Sequence, residues 1–177
     1  MPRYVAMLRA VNVGGRGRLS MPDLRAAVES LGHTRVETYV QSGNVAFTSR
    51  TASPDRIAAA VRERLVERCG IHTAVLVRSR ADLAAVLAAG PFVPAGADPA
   101  TVHVTFLLGR PAPDAVAALA PFDVAPDRFV VLGSEVHLWC PGGYGRTKLT
   151  NTFFERHLHT VATTRSWRSV TALCALA

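Results

Sequence analysis

Of the 20 lysine and arginine side chains in this sequence, only Lys148 is a lysine. Asparagine is confined to Asn12, Asn44 and Asn151, and glutamine to Gln41. Three short stretches hold these rare types: Val11-Asn12-Val13-Gly14-Gly15, Gln41-Ser42-Gly43-Asn44 and Lys148-Leu149-Thr150-Asn151. In a chain that uses arginine nearly everywhere it needs a cation, a retained lysine or amide marks a place where local physics admits no substitute. The chemistry on offer is recognition of an anion. Residues 142–151 read as a glycine-rich loop running into a helix, where backbone N–H groups and the helix dipole favour phosphate or carboxylate. Arg146 and Lys148 add charge there. The spacing of a Walker A loop is absent. The competing structural reading is that the glycines shape a turn and the Lys148 stem packs on Trp139 or Tyr144.

The segment from Arg9 to Arg18 offers the same chemistry. Asn12 can bond its own backbone, Gly14 and Gly15 permit close approach to a ligand, and Arg9, Arg16 and Arg18 supply charge. In the Gln41-Ser42-Gly43-Asn44 run, the polar side chains can hydrogen-bond a ligand, and Asn44 can equally satisfy turn backbone. Arg165 sits just before an expected helix start, close to Trp167, which suits phosphate contact and base stacking; Trp167 itself reads as a buried anchor. A different chemistry uses Lys148 as nucleophile or acid, helped by Asn151 and Glu155. It requires a depressed pKa, through burial or a cationic neighbour such as Arg146. Glu155 is the one acid near that stretch in sequence. His157 and His159 point two ways from a helix, and His103 and His137 read as surface positions on strands. No ligand set has metal spacing, so no metal site is expected. Nothing in the sequence names a substrate, a cofactor or an oligomeric state.

The elements that must position these residues follow the order β-α-β-β-α-β twice. Strands are expected over 4–8, 36–40, 45–47 and 73–77, with helices over 20–31 and 53–69. Ser20 and Asp23 form a capping pattern, and Ser42-Gly43 is expected as a two-residue hairpin turn. A short helix to about Gly90 and a Pro/Gly/Ala-rich linker follow. The second half repeats the pattern, with strands over 102–108, 129–132 and 136–139, helices over 113–119 and 148–158, an extended piece over 161–164 and a last helix from Ser166. The expected fold is α+β with two ferredoxin-like subdomains, 1–93 and 94–177. In that arrangement the end of the first strand lies beside the turn joining the second and third, so Asn12 is expected next to Gln41.

A chain of 177 residues carrying a net charge of +7 favours anionic partners, a phosphorylated small molecule or nucleic acid. The scattered arginines also suit ordinary polar helix faces. Three distant cysteines make a disulfide framework or zinc site unexpected and point to a reducing, cytoplasmic setting. No apolar run is long enough for a membrane span, so no membrane partner is expected.

The runs Leu8-Arg9-Ala10-Val11-Asn12-Val13-Gly14-Gly15, Tyr39-Val40-Gln41-Ser42-Gly43-Asn44-Val45, Thr147-Lys148-Leu149-Thr150-Asn151 and Thr163-Thr164-Arg165-Ser166-Trp167 together resemble the domain of unknown function 1697 family. The departures are Ala10 for Gly, Val11 for Ile, Thr147 for Ser and Ser166 for Asn. The resemblance implies a soluble, mostly bacterial protein of two ferredoxin-like subdomains. It implies no activity and transfers no catalytic residue.

Overall fold

Tyr4-Val5-Ala6-Met7-Leu8 is apolar at every position, and a strand of that kind must be covered on both faces. It forms most of β1 (Arg3–Leu8), buried from Tyr4 to Leu8. In this computed structural model, which describes residues 1–13, 18–90 and 94–177, the fold is mixed α+β with two four-stranded antiparallel sheets and six α-helices among the described residues. The chain divides into two units, Met1–Ala85 with Ala172–Ala177, and Val86–Thr171. The boundaries fall inside α3 (Arg80–Ala88) and α6 (Trp167–Leu176).

In the first unit β1 is followed by α1 (Met21–Glu29), β2 (Thr34–Tyr39), β3 (Asn44–Thr48), α2 (Pro54–Cys69) and β4 (Val75–Ser79). The strands lie in the order β2-β3-β1-β4. Both helices start where the sequence says they should. The Ser20 hydroxyl accepts from Asp23 N–H and the Ser53 hydroxyl from Arg56 N–H, each worth about 1 kcal/mol as a cap. Gly70, in the left-handed region, ends α2. Leu24, Ala27 and Val28 of α1 and Ile57, Val61 and Leu65 of α2 share a core with Leu8, Val45 and Phe47 of the sheet. At about 25 cal/mol per Å² of apolar surface removed from water, that face holds the helices down.

The second unit runs β5 (Val102–Leu107), α4 (Pro113–Ala117), β6 (Arg128–Leu132), β7 (Glu135–Trp139), α5 (Asn151–Leu158) and β8 (Ala162–Ser166), with strands in the order β6-β7-β5-β8. Its core gathers Leu107, Val136, Leu138, Leu149, Phe154 and Leu158. Every β5 residue is buried, so the strand reads like β1.

Three expectations are corrected. The hairpin turn joining β2 to β3 spans Val40 to Gly43, because Tyr39 already pairs with Asn44. Helix α5 begins at Asn151, since the Thr147 hydroxyl accepts from Leu149 N–H ahead of it and the Thr150 hydroxyl caps its first turn by accepting from Phe153 N–H. Arg165 does stand just ahead of a helix, α6, but the extended piece expected over 161–164 runs on as β8 to Ser166, so Arg165 lies inside the strand, paired with Val104 of β5. No helix among the described residues is long and apolar enough to cross a membrane.

Candidate functional site

At the end of β1 the Leu8 N–H donates to Gly43 O (2.9 Å), which brings the β2–β3 turn against the following loop. Asn12 then takes up every polar atom of its amide. Its Nδ2 donates to Leu19 O (2.8 Å) and Gln41 O (2.9 Å), and its Oδ1 accepts from Leu19 N–H (2.9 Å). Asparagine alone does this at that length: aspartate cannot donate, and glutamine is one methylene longer. Asn12 thus stands beside Gln41, with the Gln41 backbone carbonyl, not its exposed side chain, making the contact.

Asn44 is fully buried and closes the turn, its Nδ2 donating to Ser42 Oγ (2.7 Å) and Tyr39 O (3.3 Å). Gly43 has φ +72°, and a Cβ there would stand 2.4 Å from Val11 Cγ2. Ala10, Asn12 and Val40 also occupy the left-handed region, at φ 51°, 58° and 47°. For a β-branched residue such as Val40 that is a strained conformation, held only where neighbours over-determine it. Gly14, Gly15 and Arg16 lie outside the described residues.

Arg9 is half-buried and opens onto a cavity of about 440 Å³, which Val11, Ile71, His72 and Thr73 also line. The Arg9 N–H donates to Ala74 O (3.0 Å), and the Thr73 hydroxyl donates to Arg9 O (2.6 Å). A second cavity of about 350 Å³ shares His72 and Thr73 and runs along α2 past Arg62, Glu63, Val66 and Glu67.

In the second unit the Thr147–Asn151 stretch is a chain of local restraints. The buried Thr147 donates to Asp127 Oδ2 (2.5 Å) and accepts from Leu149 N–H (3.0 Å). Leu149 is fully buried in the core. Thr150 caps α5 by accepting from Phe153 N–H (3.2 Å). Asn151 Oδ1 accepts from the Thr164 hydroxyl (2.7 Å), so the Thr105 hydroxyl is the donor in its own 2.7 Å contact with Thr164. Lys148 alone has no such task. It is exposed, as is Arg146, and its ammonium makes no hydrogen bond or ion pair among the described residues.

Arg165 is 8% exposed, with Nη1 donating to Thr163 Oγ1 (2.8 Å) and Thr164 O (2.9 Å). Burial pushes its pKa down to about 10, and the Coulombic pull of Tyr144 opposes the shift. A guanidinium placed there is part of the interior rather than a surface phosphate clamp. Trp167 is half-buried, with its ring 6.4 Å from that of His137. Glu155, which stood out as the acid near Lys148, accepts from Ala162 N–H (3.0 Å).

Several residues escaped sequence reasoning. Asp127, distant in sequence, is the acid that Thr147 reaches. Tyr144 stacks on His103 with centroids 4.8 Å apart, and burial raises its hydroxyl pKa while a hydrogen bond with Thr164 lowers it. His103 and His137 are buried, not surface positions, because β5 and the middle of β7 are covered on both faces. Burial lowers the pKa of each imidazole below its ordinary 6.5. The continuous apolar character of Val102 to Leu108 was the available signal for His103. His157 packs against Phe122 and Phe153. Among the described residues no group of three or more His, Cys, Asp or Glu side chains could hold a metal ion.

The sequence model described as "Protein of unknown function (DUF1697)" matches residues 1–137. The chain belongs to this family. Within the DUF1697 match fall the Asn12 loop and the β2–β3 turn, while Lys148, Asn151 and Arg165 lie beyond its last residue. Among solved structures the chain is similar to a conserved bacterial protein from Streptococcus pneumoniae. That likeness has a TM-score of 0.77 at 21% identity and covers 99% of this chain and 98% of that one. At that identity it establishes the fold alone, and it extends to the stretches past residue 137. No curated protein matches the chain.

Proposed function

We propose that this protein binds a phosphate-bearing ligand, a phosphorylated small molecule or nucleic acid, through the exposed cations Lys148 and Arg146. One observation carries the reading. In Thr147–Asn151 every other residue has a bond or a buried position to account for it, and the chain's single lysine is what the stretch presents to solvent. A lysine is a compact point charge with three rotatable donors, which an arginine does not reproduce. The test is a fluorescence titration with nucleotides and short RNA and DNA at low salt, using wild type, Lys148→Ala and Lys148→Arg. Both variants are expected to bind about tenfold more weakly at unchanged Tm. Nucleic-acid binding would also weaken steeply with added salt. Wild-type affinity in Lys148→Ala would sink the proposal.

A second, structural reading is favoured for the amides. Asn12 bonds Leu19 and Gln41 and Asn44 bonds Ser42 and Tyr39 in the first unit, and Asn151 accepts from Thr164 in the second, so these residues brace local structure. Ligand contact by Asn12, Ser42, Asn44, Asn151 or Arg165 is correspondingly the weaker part of the site first read from sequence. A nucleophilic Lys148 would require burial or help from Arg146, and both side chains are exposed. Rapid single-site labelling of Lys148 at neutral pH would speak for the nucleophile.

We also read each half as a ferredoxin-like subdomain. The βαββαβ order and the strand sequences β2-β3-β1-β4 and β6-β7-β5-β8 support it.

A further inference from the structure

The two cavities of the first unit meet at His72 and Thr73, which line both, and their contents differ in charge. The lobe of about 440 Å³ is lined by Arg9 and His72 and has no carboxylate. The lobe of about 350 Å³ lies along α2 and carries two carboxylates, Glu63 and Glu67, against one cation, Arg62, beside the apolar Val66. Each lobe falls within the usual volume of small-molecule sites, roughly 300–1,000 Å³. The backbone around them is pinned before any ligand arrives, by Arg9 N–H to Ala74 O (3.0 Å) and Thr73 Oγ1–H to Arg9 O (2.6 Å). The last carbonyls of α2, which would repel an anion, are partly taken up. Gly70 N–H donates to Val66 O (2.9 Å) and Ile71 N–H to Leu65 O (3.2 Å).

From this polarity we infer that the groove is a nucleotide site, taking a nucleoside monophosphate. The phosphate lies toward Arg9 and His72, which line that lobe with no carboxylate beside them. The nucleoside extends along α2, its ring on Val66 and its hydroxyl or amino donors toward Glu63. Glu67 already pairs with Arg64 at 3.1 Å, whereas Glu63 makes no ion pair among the described residues. A ligand that is anionic at one end and rich in N–H or O–H donors at the other matches both lobes, and inorganic phosphate fills only one. This site is distinct from the exposed Lys148 turn, which belongs to the other unit.

The experiment is a set of titrations followed by heteronuclear NMR, with AMP, adenosine and inorganic phosphate as probes. Proteins are the wild type, Arg9→Gln, Glu63→Gln, His72→Asn and Lys148→Ala. AMP is expected to saturate, shifting resonances of Ile71 to Ala74 and of Val66. Adenosine and phosphate each bind at least about tenfold more weakly. Arg9→Gln and His72→Asn weaken AMP and spare adenosine, Glu63→Gln weakens AMP and adenosine together, and Lys148→Ala leaves AMP affinity unchanged. Arg9 is half-buried, so if Arg9→Gln loses Tm, the exposed Glu63 and His72 variants decide. No saturable AMP binding overturns the proposal, as does equal affinity in folded Glu63→Gln and His72→Asn. Loss of AMP binding in Lys148→Ala alone moves the ligand to the other unit and overturns the groove while keeping the Lys148 reading.

Discussion

The two units use the same bonds at the same point of their sheets and then diverge. In the first, Leu8 N–H donates to Gly43 O and Arg9 N–H to Ala74 O; in the second, Leu107 N–H donates to Ser134 O and Leu108 N–H to Val161 O. Beyond that shared junction the first unit carries the long basic segment 9–20, and the second only 108–112. The first closes its hairpin with Val40 to Gly43, and the second with Gly133-Ser134. At the opposite end the contrast reverses: residues 49–53 join β3 to α2, whereas 140–150 join β7 to α5. One scaffold has been elaborated at opposite ends, and the rare residues follow the elaboration. Asn12 and Asn44 brace the first with their side chains and Gln41 with its backbone carbonyl, while Asn151 braces the second beside the common Thr147 and Thr150.

The largest test of that contrast substitutes the two hairpin glycines. Gly43→Ala meets Val11 and Leu8 at 2.4 and 2.9 Å in a left-handed conformation. It is expected to cost roughly 3 kcal/mol or more in urea denaturation. Gly133→Ala has φ +65° but open space, with Glu135 Oε2 nearest at 3.9 Å, and is expected to cost about 1 kcal/mol. Equal losses would break the distinction between a clamped turn and a plain one. Next comes Asn12→Ala, which removes three hydrogen bonds and is expected to destabilise by about 2 kcal/mol, against about 1 for Asn151→Ala, which removes the bond from Thr164. Asn12→Asp should recover little, since it keeps the acceptor and loses both donors.

The smallest effect is on pH. Burial holds His103 and His137 below 6.5 in the folded second unit and His33 in the first. The unfolded chain therefore takes up these protons first as pH falls. Their contribution is complete above about pH 6.5 and is lost progressively below it. Tm is expected to drop between pH 7.5 and 5.0, and the double variant His103→Phe/His137→Phe should flatten that slope more than His33→Phe does.

Strand and helix periodicity carried most of this architecture, and caps at Ser20, Ser53 and Ser166 were legible because a hydroxyl three residues ahead of its N–H is a local event. The neighbouring of Asn12 and Gln41 was legible too, because strand order places the end of β1 beside the β2–β3 turn. The start of α5 was not. Lys148 and Leu149 are good helix formers, and what holds them out of the helix is the Thr147 hydroxyl, occupied by Asp127 and Leu149 N–H. The burial of Arg165 was hidden for a similar reason. Arginine reads as surface, and only the register with Val104 at the middle of a covered strand puts it inside. His72 and Thr73 gave no local signal, since the cavity they line is completed by Arg9 and Val11, which lie far away along the chain.

An exposed Lys148, with no second lysine anywhere in the chain, gives the protein one side-chain amine. An isopeptide-forming ligase or a lysine-specific protease, which needs such a group, meets this polypeptide at a single address. The cut or the graft falls between the Asp127 anchor and the first residue of α5.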